Sequence, residues 1–209
     1  MPIETQIHTI RHAHTRYNTE KRYAGTIDVS LSEKGIQEVR EASCGLKQMG
    51  IEFDVVVTST MKRSIETAHL LFLDGAQFVQ SKLCDERNFG NMEGHTWEEV
   101  QNFEPRILFI SVGDDLHSVN PPGGEHFEDL WERAKKFRRF LFSRYLGKSI
   151  LVVSHGVFLQ MFHGVLKGSS CIESLAVYPS NLELASFCFS GNRLMDARTV
   201  KLSGGINEF

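Results

Sequence analysis

No long apolar run occurs in these 209 residues. Stretches such as ILVV at 150–153 fall far short of the roughly 20 residues that span a bilayer. The opening MPIETQIHTI has neither a basic leader nor an apolar segment behind it, so no secretory signal is expected. Positive charge is not in excess either. With 23 Lys plus Arg against 26 Asp plus Glu, the net charge of −3 offers no general attraction for nucleic acid or a membrane surface. An anion held by this chain must therefore be held by a local cluster. Cysteine is sparse: Cys44, Cys84, Cys171 and Cys188 form no CxxC pair, and a chain of this length needs no disulfide staples. Reduced thiols in a cytoplasmic protein are the expectation. Nine histidines beside those cysteines leave a zinc site open, but the ligand spacings of structural zinc sites are missing, and no metal or other cofactor is expected. Repeats, low-complexity tracts and linkers are absent too, which makes one domain over residues 1–209 the simplest account.

What is present is an alternation of strands and helices. QIHTI at 6–10 alternates apolar and polar residues and reads as a strand. Ser32 then caps a helix whose Ile36, Val39, Leu46 and Met49 lie near helical spacing, and Gly50 stops it. FDVVVTS at 53–59 and SILVVS at 149–154 are the continuous β-branched runs of strands buried on both faces. A helix over 59–73, capped by Ser59 or Thr60, and a short strand at 76–80 follow the first of them. Residues 84–95 read as a loop, 96–110 as an irregular helix interrupted near Pro105, and 125–146 as a helix with one apolar side. A further helix follows at 155–166, then two strands joined at Gly191-Asn192, a good hairpin signal. The order predicts a three-layer α/β/α sandwich with a mostly parallel central sheet. The closing hairpin offers an edge through which two copies could pair as a homodimer.

In such sheets ligands bind beyond the carboxyl ends of the strands. Three of those ends carry groups suited to a phosphate. The first strand ends in Arg11-His12, the second leads into a helix with Arg63 one turn in, and the third ends at His155-Gly156 before another helix. Helix N-termini supply unpaired N–H groups, and guanidinium groups add bidentate contacts to phosphoryl oxygens. Each piece alone is ordinary: an Arg-His pair after a strand is usually surface polarity, SHG a turn, and Arg63 a solvated residue. Their coincidence at three equivalent strand ends points to one anion site.

The same residues fall in motifs that resemble the histidine phosphatase (phosphoglycerate mutase-like) superfamily. RHAHTRYN at 11–18 is similar to that family's RHG signature, GTIDVSLSEKG to its next segment, and TSTMKRSIETA to its second arginine motif. DERNFGNMEG resembles the acid loop, PPGGEHFEDLWER the PGGES segment, and LVVSHG the closing VSHG motif. Six motifs in register along nearly the whole chain make chance a poor explanation. The resemblance implies a phosphoglycerate mutase-like fold and a small phosphorylated substrate. It makes His12 the nucleophile that forms a phosphohistidine, with Arg11, Asn18, Arg63 and His155 in the phosphate pocket. His155 is expected to act as a protonated donor. Glu86 falls where the family keeps its general acid, a carboxyl whose protonated form a nearby phosphate favours. Asp85 and Glu93 are expected to be structural or rim residues.

Two positions depart from the pattern: Ala13 stands where most members have Gly, and His14 where many have Glu. A methyl at 13 could crowd the turn next to the phosphate. Mutases of the family also carry a Lys after the acid loop and a tandem Arg pair. Here GHTWEEVQNFEPR puts Trp97 near the Lys position, follows it with Glu98 and Glu99, and has no Arg-Arg pair. The expectation is therefore a phosphomonoesterase, with a phosphoglycerate mutase or a catalytically weak phosphate-binding regulator as alternatives. Residues 84–122 are expected to form a loop or cap over the site. Trp97, Phe103, Phe109 and His117 either line that cap or simply pack it together, and packing is the commoner role for such residues.

Overall fold

In a computed structural model, residues 3–71, 75–113 and 115–202 are described. Among the described residues eight strands are seen: β1 Glu4–Arg11, β2 Val55–Thr58, β3 Gln77–Gln80, β4 Phe109–Val112, β5 Asp115–Ser118, β6 Ser149–Ser154, β7 Glu183–Ser190 and β8 Arg193–Lys201. The α-helices are α1 Arg16–Thr19, α2 Glu33–Gln48, α3 Lys62–Leu70, α4 Trp97–Val100, α5 Phe127–Tyr145 and α6 Gly156–Lys167. Six strands form one sheet in the order β3-β2-β6-β1-β7-β8. The first four run parallel, β7 joins β1 antiparallel, and β8 pairs antiparallel with β7 at the edge.

The β-branched runs explain the layers. Successive side chains of a strand point to opposite faces. Val55, Val57, Ile150 and Val152 enter one apolar cluster, and Val56, Leu151 and Val153 enter the other. The first cluster packs on α5 and α6, the second on α2 and α3. In the first, Phe137 of α5 lies 5.6 Å from Phe158 and 5.0 Å from Phe162 of α6, ring centre to ring centre. Burying each such ring contributes about 1.5–3 kcal/mol. The predicted three-layer architecture is thus the observed one.

Helix ends follow local chemistry in most places. Ser32 Oγ accepts from the Gly35 amide at 3.1 Å at the start of α2, and Gly50 follows its end with a φ of +63°. Two expectations need correction. The helix expected from residue 59 begins at Lys62, with Met61 at the cap position and no side-chain cap. Ser59 and Thr60 are occupied elsewhere, and Asp28 Oδ1 instead accepts from the Lys62 amide at 2.7 Å. The expected last residues of that helix, 72 and 73, lie outside the described residues.

The irregular helix expected over 96–110 is a single turn, α4, closed by a Thr96–Glu99 capping box. Beyond it, Phe109–Val112 pairs antiparallel with Asp115–Ser118, with Gly113 turning at a φ of +63°. Pro105 cannot continue a helix, and the aromatic and β-branched FISV segment suits a strand. This hairpin stands over the carboxyl ends of β1, β2 and β6, where it helps to wall the site.

Candidate active site

His12 directly follows β1, and its backbone is held on both sides. Its amide donates to the Ser154 carbonyl at 2.9 Å, and its carbonyl accepts from Asn181 Nδ2 at 2.6 Å. The ring is fixed as well: Nδ1 lies 2.7 Å from the Ala13 carbonyl. A carbonyl can only accept, so the proton sits on Nδ1 and Nε2 keeps its lone pair. Burial, reinforced by the Arg63 and Arg11 charges, drives the His12 pKa well below the ordinary histidine value. His12 is a neutral imidazole with its reactive nitrogen unprotonated.

Arg11 has its Nη1 on the Pro179 carbonyl at 2.9 Å and its guanidinium 4.8 Å from the Tyr178 ring centre. Its Nε is buried with no hydrogen-bond partner among the described residues. Arg63 is 1 % exposed. Its Nη1 and Nη2 donate to the carbonyls of Ile27 and Gly25, each at 2.8 Å, and its Nε donates to His155 Nδ1 at 3.1 Å. Burial lowers its pKa, with Glu86 the largest opposing charge. Asn18 accepts from both the amide and the hydroxyl of Thr15 through Oδ1, which leaves its NH2 as the group it can offer.

His155 differs from expectation. It is fully buried behind His12, with ring centres 5.1 Å apart, and it is not among the residues that line the cavity. Arg63 Nε can only donate, so His155 Nδ1 accepts and the proton sits on Nε2, which donates to Ser59 Oγ at 2.7 Å. Burial, then the Arg63 charge, push its pKa well down. In the structure it is a neutral residue that orients Arg63, not a protonated donor.

Glu86 approaches from the acid loop and sits at the N-terminus of α6. Its Oε1 accepts from the Arg87 and Phe158 amides at 2.9 and 3.0 Å, and Oε2 from the Val157 amide at 3.3 Å. Oε2, with one long contact, is the oxygen with room for a proton. The loop is held from behind by Arg133 of α5. Arg133 donates to the carbonyls of Leu83, Asp85 and Glu86 at 3.2, 2.7 and 3.2 Å and forms a two-point pair with Glu125 at 2.8 and 2.7 Å. Asp85 accepts from Thr60, and Glu93 from Thr26 and the Phe89 amide, so both brace the loops.

The two departures also find places. The Ala13 methyl is buried in the apolar cluster with Ile10 and Leu31, and the backbone there needs no positive φ. His14 turns to Glu38 of α2, Nδ1 to Oε2 at 2.7 Å, and does not line the cavity. Gly156 does answer to close approach: a Cβ there would collide with the Tyr178 hydroxyl.

Arg11, His12, Asn18, Arg63 and Glu86 line one cavity of about 270 Å³. Lys21, Arg22 and Arg87 join them, so five cations face two carboxylates, Glu86 and Asp115. The local excess of positive charge reverses the sign of the whole chain. Of the four residues expected around a cap, Trp97 and His117 line the cavity. Phe109 packs on Trp97 with centres 4.9 Å apart, and Phe103 packs on His95 at 5.0 Å. Tyr178 and Arg87 went unnoticed in the sequence. Tyr178 lies in an irregular segment with no periodicity, whereas Arg87 adjoins Glu86 inside a motif already singled out. Among the described residues no group of three or more His, Cys, Asp or Glu side chains could hold a metal ion.

A neutral histidine facing a pocket of guanidinium groups at the carboxyl ends of parallel strands has the chemistry to receive a phosphoryl group. Residues 7–195 match the sequence profile of the Histidine phosphatase superfamily (branch 1), and the chain belongs to that family. A 2,3-bisphosphoglycerate-dependent phosphoglycerate mutase of Methylorubrum extorquens (strain PA1) is 30% identical over an alignment of 171 residues that covers 76% of this chain and 77% of that one. Among solved structures, the α-ribazole phosphatase of Shigella flexneri superposes with a TM-score of 0.80 at 20% identity, covering 97% of this chain and all of that one. The phosphoserine phosphatase of Entamoeba histolytica in complex with 3-phosphoglyceric acid gives 0.75 at 20% identity, covering 95% and 98%. No described helix is long and apolar enough to cross a membrane.

Proposed function

We propose that this chain is a phosphomonoesterase that hydrolyses a small phosphorylated metabolite through a phosphohistidine, and that it forms one catalytic domain with residues 84–122 as its cap. The observation that carries the reading is the His12 tautomer. Its Nδ1 proton is committed to the Ala13 carbonyl, so the Nε2 lone pair is available without a separate base.

In the first step Nε2 attacks phosphorus, the ester P–O bond breaks, and Glu86 gives its proton to the leaving oxygen. In the second, Glu86 takes a proton from water as the water oxygen attacks phosphorus. The P–N bond breaks, phosphate leaves, and neutral His12 returns. Arg11 and Arg63 spread the charge on the transferring group, Asn18 donates from its NH2, and His155 keeps Arg63 in place. The cavity volume suits a metabolite rather than a protein substrate.

A mutase is the second reading, favoured by the 30% identity to a bisphosphoglycerate-dependent mutase. A panel of phosphomonoesters, with 3-phosphoglycerate plus 2,3-bisphosphoglycerate as the mutase arm, separates the two. Phosphate release from esters with little isomerisation is the expected result. Fast isomerisation with slow release would establish the mutase, and tight vanadate binding without turnover would leave only a binding protein.

A further inference from the structure

Beside the phosphoryl pocket, the β4–β5 hairpin gives the cavity an open apolar wall. Leu116 lines the cavity and is 51 % exposed. In the hairpin register Phe109 pairs with Ser118, and Ser111 with Leu116. Cross-strand partners share a face of the sheet, and residues two apart return to it, so Leu116 and Phe109 lie on the same face. Phe109 carries the ring of Trp97 at 4.9 Å between centres, and Trp97 lines the cavity too. Trp97, Phe109 and Leu116 thus make one apolar strip whose two ends face the site. Ile110 sits on the opposite face of the hairpin, 37 % exposed, and does not line the cavity.

The charges around this strip cancel, although the cavity as a whole is cationic. Arg11 and Arg63 belong to the phosphoryl group. Arg22 is committed to Glu20 at 2.7 Å, to Glu99 at 3.3 Å and to the Gly94 carbonyl at 2.8 Å. Arg87 is 1 % exposed and spends Nε and Nη1 on the carbonyls of Glu125 and Ser118. Glu86 is the acid. The charged side chains that remain in the lining are Lys21 and Asp115, one of each sign.

The leaving group of any ester held at His12 must lie in this same cavity. An apolar alcohol that covers the strip gains the free energy of removing both surfaces from water. An ionised alcohol gives up hydration there against charges that offset one another. We infer that the strip of Trp97, Phe109 and Leu116 selects phosphomonoesters of uncharged, apolar alcohols. This selection rests on the phosphomonoesterase reading and names the chemical class of its leaving group.

A homologous series provides the test. Methyl, ethyl, n-propyl and n-butyl phosphate present the same reacting group and differ by one methylene each. With the unaltered protein, kcat/KM should rise about three- to fourfold per methylene, or about 30- to 60-fold from methyl to butyl. n-Propyl phosphate should exceed 3-phosphoglycerate, which has the same number of carbons and an added carboxylate, by about tenfold or more. Leu116→Ser should cut the methyl-to-butyl rise by about threefold or more. Ile110→Ser, on the other face of the same hairpin, should leave that rise unaltered. Each rise is a ratio within one protein, so a general loss of folded enzyme does not change it. A flat series, or faster turnover of 3-phosphoglycerate than of n-propyl phosphate, overturns the selection, and hydrolysis of methyl phosphate in that case leaves the phosphomonoesterase reading standing. An equal fall in Leu116→Ser and Ile110→Ser overturns the assignment to the strip. If no ester of the series and no 3-phosphoglycerate is hydrolysed, the phosphomonoesterase reading falls and the selection with it.

Discussion

Replacing Arg133 by Met should slow the enzyme only where the leaving group needs a proton. Arg133 does not itself line the cavity and reaches it only through the backbone of the acid loop, donating to the Leu83, Asp85 and Glu86 carbonyls, and it pairs twice with Glu125. Hydrogen bonds to a charged group contribute about 1.5–3 kcal/mol each. The pair with Glu125 is largely buried, at 18% and 17% side-chain exposure, and breaking such a pair from one side costs about 3–5 kcal/mol. The loop keeps other ties: Asp85 to Thr60, and the three backbone amides on the Glu86 carboxylate. The acid should therefore shift rather than swing free, and a displacement of about 1 Å costs on the order of 10²-fold in rate.

The assay compares kcat for an alkyl phosphate, whose alkoxide must be protonated, with kcat for p-nitrophenyl phosphate, whose phenolate leaves unaided. About a hundredfold loss on the first and less than about threefold on the second is expected, with KM nearly unchanged. Restoring a charge with Arg133→Lys should recover part of the alkyl rate. An equal loss on both esters would mean that Arg133 supports the fold generally, and the link through Glu86 would be refuted.

Other perturbations follow from the same geometry. Glu86→Gln, which keeps the amide contacts to Oε1 but removes the transferable proton, should cut alkyl phosphate turnover by about 10²–10⁴-fold, and an undiminished rate would remove Glu86 from the mechanism. Ser59→Ala leaves the buried His155 Nε2–H without its acceptor, so stability should fall by about 1–3 kcal/mol in denaturant titration and phosphate should bind less tightly as Arg63 loosens. Acid should destabilise the fold through buried neutral histidines. Burial lowers His8 to about 4, so the unfolded chain binds its proton first. The stabilisation is whole above pH 6.5 and declines as the pH falls from there toward 4, by up to about 1.4 kcal/mol per pH unit. Chemical denaturation at pH 7 and pH 5 measures it, and a His8→Gln protein should show a flatter dependence.

Much of this arrangement was legible in the residues. The β-branched runs at 55–58 and 149–154 announce strands buried on both faces, and Arg11, His12 and Arg63 follow strand ends where an α/β sheet binds ligands. Ser32, Gly50 and Gly191 mark their turns by local chemistry alone. The failures share a cause in contacts distant along the chain. β4 and β5 are four residues each, too short for periodicity to distinguish them from a broken helix. Ser59 gives up its expected cap because His155, 96 residues away, takes its hydroxyl. The neutrality of His155 depends on burial and on Arg63, neither of which its own motif contains. Arg87 stood in plain view beside Glu86, but its burial is a property of the folded surroundings only.

The proposed mechanism passes phosphorus through His12 Nε2. Rapid acid-free quenching of the protein with a radiolabelled phosphomonoester, followed by peptide mapping, tests it directly. An acid-labile, base-stable phosphoryl group is expected on the peptide that carries His12, formed at least as fast as turnover. His12→Ala is expected to show neither label nor activity. Turnover with no labelled histidine, or activity that survives in His12→Ala, would contradict it.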